Sequence, residues 1–327
     1  MNKIKVSVIV PIYNVESYVE KCVRSLMEQT MKDGIEFVFV NDATPDNSMA
    51  IVQNVVNEYP ERKHQIKIIH NTENIGITQT RARGIEMAVG EYIGWCDADD
   101  WCELDMFEKM YEATKDASID IVICNYKDIC KDGEIEKKVR KASSPQECLS
   151  ESYRGRYYSG YLWNQIFRSL LLKKYWGNVI PTNFGEDTFA IWYMYYHASS
   201  CAYVDSFLYN YNQMNVGSLV HRLKINRETW LAQQENLIRI RNLCFSNGGR
   251  GLFHKALNYM AFTRKYLFMN SFRNSKEFFY TFRESSRDIC FFRGMTKINM
   301  WKIYILNNIY ILFWLLYNRR WVCQNDK

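Results

Sequence analysis

Through its first 125 residues the chain alternates short apolar runs with amphipathic stretches. Val6 to Val10 is an apolar run that Pro11 ends, and Val19, Cys22, Val23 and Leu26 follow at the spacing of one helix face. Ile35 to Val40 reads as a second strand with Asn41-Asp42 at its carboxyl end. Thr44-Pro45-Asp46-Asn47-Ser48 then supplies turn chemistry and the start of a helix through about Tyr59. The pattern predicts a third strand over Ile66 to Ile69, a loop over Asn74 to Thr78, a helix over about Gln79 to Val89 and a strand over Tyr92 to Cys96. The acidic run Asp97-Ala98-Asp99-Asp100 lies just beyond that strand, ahead of a helix over roughly Leu104 to Lys115 and a strand over Ile119 to Cys124. Alternation at this interval predicts an α/β fold, a mostly parallel sheet with flanking helices. In open sheets of that kind ligands bind beyond the carboxyl ends of the strands. Pro11, Tyr13, Asp42, Asn74, Asp97 and Asp99 all fall there, and one ligand site accounts for them together.

The pattern then changes. Residues 126 to 160 are polar and charged, with a hairpin turn at Lys131-Asp132-Gly133. Trp163 to Tyr175 reads as helical, Asn183 to Asp187 precedes an aromatic helix from about Thr188 to His197, and Ala202 to Tyr211 is strand-like. From His221 the chain reads as mostly helical, broken at Gly248, Gly249 and Gly251. The expected organisation is a domain over 1–220, in halves 1–125 and 126–220, followed by a C-terminal region over 221–327.

Charge sharpens that boundary. Residues 221–327 carry 19 Lys and Arg against 6 Asp and Glu, while residues 1–220 hold 23 basic and 30 acidic residues. A basic region can meet nucleic acid, an anionic membrane face or a phosphorylated substrate. No zinc-finger spacing, recognition-helix pattern or arginine-rich run favours nucleic acid. Ile303 to Tyr317 is apolar and aromatic apart from Asn307 and Asn308, and Arg319-Arg320 follow. A spanning helix needs about 20 apolar residues, so the stretch near 303–320 reads as an interfacial helix or as a buried terminal helix packing on the body. The ten cysteines form no CxxC pair and read as reduced thiols, and the N-terminus enters a strand without a secretory leader. A cytoplasmic location is expected, peripheral on the inner face of the cytoplasmic membrane.

Two carboxylates in an Asp-x-Asp arrangement after a strand can share one divalent cation and the diphosphate it neutralises, and hard oxygens suit Mn²⁺ or Mg²⁺. Read alone, Asp97, Asp99 and Asp100 are equally at home as turn and cap acids. Their context decides. Val6 to Val10 followed by Pro11-Ile12-Tyr13-Asn14, the block Val40 to Ser48, the segment Asn74 to Arg81, and Gly90-Glu91-Tyr92-Ile93 leading into Cys96-Asp97-Ala98-Asp99-Asp100-Trp101 resemble, in order and spacing, the successive motifs of glycosyltransferase family 2. The resemblance is specific over residues 4 to about 125 and implies the GT-A nucleotide-sugar fold, with 1–125 as its nucleotide-sugar-binding half and 126–220 as its acceptor half.

Carried over to these positions, the resemblance sets Pro11 and Tyr13 beside the base and ribose of a nucleotide, although a tyrosine at a strand end also serves as packing. It makes Asp42 an acceptor for a base imide, which points to uracil or thymine and so to a UDP- or dTDP-sugar, with UDP favoured, or else Asp42 is a turn carboxylate. Arg81 would contact the nucleotide or its phosphates, or else is a surface cation on its helix. Asp99 would ligate the metal, Asp97 would face the ribose or the metal, and Asp100 would be supporting.

The resemblance is looser in the second half. Leu162 to Arg168 is similar to the Trp-Asn-Lys segment of capsule and lipopolysaccharide transferases, but Gln165 stands where lysine is usual. Gly185-Glu186-Asp187 is similar to the family's Gly-Glu-Asp motif, which makes Asp187 the expected general base and Glu186 its orienter or stand-in. A sugar hydroxyl needs such a base, because it is a poor nucleophile until its proton leaves. Leu208-Tyr209-Asn210-Tyr211 and Gly217-Ser218-Leu219 resemble a closing segment of the family that often carries an arginine near position 212, where Asn212 stands here, which leaves Arg222 as the nearest substitute cation. His221 is either a third metal ligand or a solvated or packed histidine.

The implied activity is an inverting, metal-dependent transfer of a hexosyl or N-acetylhexosaminyl group. The donor would be a nucleotide-sugar and the acceptor a saccharide or lipid-linked glycan, in surface polysaccharide synthesis. The alternative is a catalytically silent sugar-nucleotide or glycan-binding module on the same fold. Nucleotidyl transfer is disfavoured by the absence of an N-terminal Gly-rich, Arg-containing phosphate loop.

Overall fold

A computed structural model describes residues 3–115, 118–148, 161–179, 181, 186–215, 217–218, 235–236, 238–239 and 242. The chain divides into two units, residues 1–148 with 158–224 and residues 149–157 with 225–327. All that follows concerns the first. The helical region expected over 221–327, its glycine break, the stretch near 303–320, His221, Arg222 and residues 183–185 lie outside the described residues but for a few positions between 235 and 242. Among the described residues no helix is long and apolar enough to cross a membrane.

The strands are β1 (Val6–Ile12), β2 (Ile35–Asn41), β3 (Ile66–His70), β4 (Tyr92–Trp95), β5 (Trp101–Cys102), β6 (Ile121–Cys130), β7 (Gly133–Lys137), β8 (Gln165–Arg168) and β9 (Cys201–Asn212). The helices are α1 (Val19–Met27), α2 (Ser48–Asn57), α3 (Ile77–Met87), α4 (Met106–Glu112), α5 (Ser169–Tyr175) and α6 (Glu186–His197). Their sheet runs β3-β2-β1-β4-β8-β6-β9-β5, with β7 paired to β6. It is parallel through β3-β2-β1-β4 and mixed beyond, where β8 runs antiparallel to both β4 and β6 and β9 lies parallel to β6.

The central strand explains the pattern that marked it. All seven residues of β1 are buried, as expected of a strand paired on both edges and covered on both faces. Pro11 is tolerated because β4 pairs with β1 only as far as Ile9 opposite Trp95. The face of α1 predicted to be apolar is the buried one, Val19, Cys22, Val23 and Leu26. Helix α3 approaches β1 so closely that a Cβ on Gly84 would stand 2.4 Å from Ile9 Cγ2. Glycine there seats the helix, and with it Arg81 one turn earlier.

Arg62 is a buried lock on the connection between α1 and β2. Its Nε donates to Met27 O at 3.0 Å, its Nη1 to Met31 O at 2.9 Å and its Nη2 to Gln29 O, so one guanidinium satisfies the carbonyls that end α1.

One predicted element is corrected. Trp163 to Tyr175 is not a single helix, because Gln165–Arg168 is a strand and only Ser169–Tyr175 is helical. Apolar Ile166, Phe167, Leu171 and Leu172 sit at helical spacing, but the first pair is drawn between β4 and β6, where ladder partners on both sides outweigh local preference. Helix α4 is shorter than the predicted Leu104 to Lys115, and left-handed Lys115 at φ 48° lies just past its end. The hairpin lies where expected, with Cys130 opposite Gly133.

Candidate active site

The carboxyl ends of β1 to β4 carry the site. Tyr13 follows β1 and is 45% exposed, while Pro11 beside it is buried. The β1–α1 and β2–α2 loops clasp each other: Asn14 N donates to Thr44 Oγ1 at 2.7 Å, Glu16 N to Asp46 Oδ2 at 2.9 Å and Asn47 N to Glu16 Oε2 at 3.0 Å. The turn chemistry read at residues 44–48 thus fixes the loop that presents Tyr13.

Asp42, at the end of β2, is buried and accepts three hydrogen bonds, from Asn71 Nδ2 at 2.7 Å, Ile75 N at 2.9 Å and Gly76 N at 3.1 Å. Those donors hold the loop ahead of α3 against β2. A carboxylate has about four acceptor sites, so one is left without a donor among the described residues. The next residue, Ala43, is forced to φ 53°, a conformation that suits glycine.

After β4 the chain turns, with Asp100 N donating to Asp97 O at 3.0 Å. The turn divides the acids. Asp100 points inward, 1% exposed, accepting from Tyr209 Oη at 2.7 Å and Asn212 N at 2.7 Å. Burial and the neighbouring Asp99 and Asp97 push its carboxyl well above the usual range. Asp97 and Asp99 keep partial exposure. Asp99 accepts from Asn215 Nδ2 at 2.8 Å, and burial with the charge of Asp97 pushes it up to about 6.

Arg81 joins this turn to the start of α6. Its Nη2 donates to Asp97 Oδ1 at 2.9 Å, and its Nη1 donates to Glu186 Oε1 at 3.0 Å and to Asp187 Oδ1 at 2.5 Å. The side chain is 3% exposed, so the reading of Arg81 as a surface cation fails. Burial acts against its charge, but the carboxylates of Asp187, Asp97 and Glu186 hold its pKa above the ordinary value. Asp187 is pushed up by burial, pulled down by Arg81, and pushed up again by Glu186 and Asp97, with a net rise. Both acids stand in the first turn of α6, which begins two residues earlier than predicted.

Gln165, where a lysine is usual, is fully buried and bridges structure: its Nε2 donates to Tyr161 O at 2.7 Å and its Oε1 accepts from Tyr195 Oη at 2.9 Å. Asn212, in the place of the common arginine, spans the acidic turn through its N–H to Asp100 and its Nδ2 to Asp99 O at 3.0 Å. Asn71, Tyr209 and Asn215 each hydrogen-bond a predicted site acid or its turn. Asn71 and Asn215 carry no motif in the sequence, and Tyr209 stands in the stretch that resembles the family's closing segment without a role assigned to it.

Asp97, Glu186 and Asp187 share one guanidinium, and Asp99 stands beside Asp97 without a cationic partner among the described side chains, so the site is acid-rich. Among the described residues no three metal-ligating side chains converge into a cage. Paired Asp oxygens with remaining coordination drawn from phosphate and water is how Mg²⁺ and Mn²⁺ are commonly held. Asp97 and Asp99 together offer hard carboxylate oxygens at the carboxyl edge of the sheet, a donor chemistry that fits such an ion.

The family described as Glycosyl transferase family 2 matches residues 7–186. EpsH of Bacillus subtilis (strain 168) is 33% identical over 224 residues, 66% of this chain and 63% of EpsH. Glycosyltransferase GlyA of Streptococcus pneumoniae serotype 4 is 40% identical over 122 residues, 37% of this chain and 17% of GlyA. The chain therefore spans less than two thirds of the length of these curated relatives. Among solved structures, S. aureus TarS 1-349 in complex with UDP-GlcNAc superposes with a TM-score of 0.65 at 21% identity, over 88% of this chain and 79% of that one. The likeness is one of fold, GT-A.

Proposed function

The chain belongs to glycosyl transferase family 2, and from that premise we propose that it transfers a hexosyl or N-acetylhexosaminyl group from a UDP-sugar to a hydroxyl of a saccharide or lipid-linked saccharide, with inversion, in the synthesis of a surface polysaccharide. The observation that carries this reading is the bracket formed by Arg81, which holds a carboxylate of the acidic turn and a carboxylate of α6 on one guanidinium. A donor-side acid and an acceptor-side acid in fixed register are what a single in-line displacement needs.

In this reading Pro11 and Tyr13 receive the base and ribose, and the remaining acceptor site of Asp42 takes the N–H of a uracil imide. The UDP-GlcNAc bound to TarS supports that choice of donor. Asp99 and Asp97 would hold Mn²⁺ or Mg²⁺. When bound, the ion supplies charge to stabilise the departing nucleoside diphosphate. Asp187 takes the proton from the acceptor hydroxyl as that oxygen attacks, and Glu186, sharing Arg81 Nη1 with it, fixes its orientation. One carboxylate on the acceptor face suffices for inversion. The basic charge of residues 221–327 and the aromatic stretch at 303–317 support a cytoplasmic position, peripheral on the anionic inner face of the membrane.

Incubating the purified protein with a panel of nucleotide sugars and Mn²⁺ tests the reading. Release of UDP, stimulated by saccharide acceptors, is expected; release of pyrophosphate, or no release from any UDP-sugar, overturns it.

A further inference from the structure

The order of strands separates two regions of the carboxyl edge. Tyr13 and Asp42 stand over β1 and β2, the acidic turn over β4, and beyond it, across β8 and β6, comes β9. A nucleotide lying over β1 and β2 with its diphosphate at the turn points its sugar toward β9. On that side the structure carries a cluster of aromatic rings. Tyr209, on β9, stacks on Trp163 at 4.3 Å and 11°, and Trp163 stacks on Tyr161 at 4.6 Å and 14°. Tyr211, two residues along the same face of β9, lies 5.4 Å from Trp163 at 26° and 5.9 Å from Tyr161 at 37°.

The cluster is tied to the reacting centre. Asp97 N donates to Tyr209 Oη at 3.1 Å, so the same residue that meets Arg81 also meets the first ring of the stack. Tyr209 and Trp163 are buried and explained as core. Tyr211 is not. It is half-buried, its ring is fixed by Trp163, and its hydroxyl makes no hydrogen bond to any described residue. A tyrosine hydroxyl drawn into a protein usually finds a partner. A fixed ring with an unengaged hydroxyl at its rim matches the amphipathic character of a pyranose, whose C–H face stacks on a ring while its hydroxyls take hydrogen bonds.

We propose that Tyr211, backed by Trp163, forms a subsite for the acceptor's sugar ring, stacking on its apolar face and hydrogen-bonding one of its hydroxyls. The inference rests on the proposed transferase reading and names the acceptor side of it. Sugar residues in the acceptor are thereby selected over acceptors that lack a pyranose ring.

The test is saturation-transfer NMR on the full chain with UDP and Mg²⁺, which is diamagnetic, using the methyl glycosides of glucose, galactose and N-acetylglucosamine as probes and aromatic protons as the source of saturation. At least one glycoside is expected to receive saturation at its ring C–H protons. Tyr211→Ala should lower its affinity about tenfold, with the dissociation constant for UDP unchanged. Should Tyr211→Ala also lose UDP, Tyr211→Phe decides: it keeps the ring, and glycoside affinity should fall about threefold. No contact with any probe in the wild type, or wild-type affinity in the deciding variant, overturns the subsite while leaving the transferase reading intact. Failure of the wild type to bind UDP overturns that reading and the subsite with it.

Discussion

Arg81 and Asp187, separated by 106 residues in sequence, are joined by an ion pair of 2.5 Å. The contact has a consequence in pH. Burial, Glu186 and Asp97 raise the carboxyl of Asp187, and Arg81 lowers it. A general base works only when ionised, so kcat falls as pH drops through the pKa of Asp187. That acidic limb should lie above the ordinary carboxylate range of about 4. Arg81→Gln removes the lowering charge and should move the limb further up while cutting kcat about a hundredfold at neutral pH. Arg81→Lys should restore part of the shift. A limb that stays in place in both variants would mean that Asp187 is not the titrating base.

Asp99 makes the metal visible without turnover. Its carboxyl is pushed up to about 6 by burial and by Asp97. The native state therefore holds that proton more tightly than the unfolded chain, and metal-free stability falls as pH rises from about 4 through about 6. At pH 8 Mn²⁺ should raise the melting temperature of the wild type by several degrees. Asp99→Asn should raise the metal-free value at pH 8 but not at pH 4, and should abolish the response to Mn²⁺. A variant that still responds fully would remove Asp99 from the metal site.

Ala43 is a strained position beside the donor loop. At φ 53° an L-residue costs about 1 to 2 kcal/mol that glycine avoids, offset in part by the greater freedom glycine has when unfolded. Ala43→Gly should stabilise the protein by about 1 kcal/mol in urea denaturation, with UDP affinity unchanged. Destabilisation by the substitution would show that the left-handed turn is not adopted in solution.

Arg62 lies away from the chemistry, against the connection from α1 to β2. Arg62→Ala leaves the buried carbonyls of Met27, Gln29 and Met31 without donors and should destabilise by about 3 kcal/mol or more. Denaturation midpoints check this, with kcat at low temperature held near wild type. A loss under about 1 kcal/mol would mean that water replaces the guanidinium.

The parallel half of the fold was legible because each signal there is local. Val6 to Val10, Ile35 to Val40 and Tyr92 to Trp95 are apolar runs closed by turn residues, and the acids that matter come directly after them. Gln165–Arg168 was not legible, since its strand pairing depends on β4 and β6, which are distant in sequence. The acidic turn could be located from its residues, but its division into Asp97, Asp99 and a supporting Asp100 came only through the family resemblance. The inward direction of Asp100 comes from Tyr209 and Asn212, more than a hundred residues later. Arg81 was picked out as a ligand contact, whereas its hold on Asp187 exists only once α3 and α6 meet. Asn215 had no signal of its own, and Tyr211 stood only within the stretch Leu208 to Tyr211 that resembles the family's closing segment, with no role attached to its ring.

The account centres on Asp187 as the base of a UDP-sugar transferase, and the comparison of Asp187→Asn with the wild type tests that most directly. Acceptor-dependent UDP release and the dissociation constant for UDP are measured on both proteins. The account predicts that kcat falls by about a thousandfold while UDP binds equally well. A variant that binds UDP and turns over at close to the wild-type rate would contradict it.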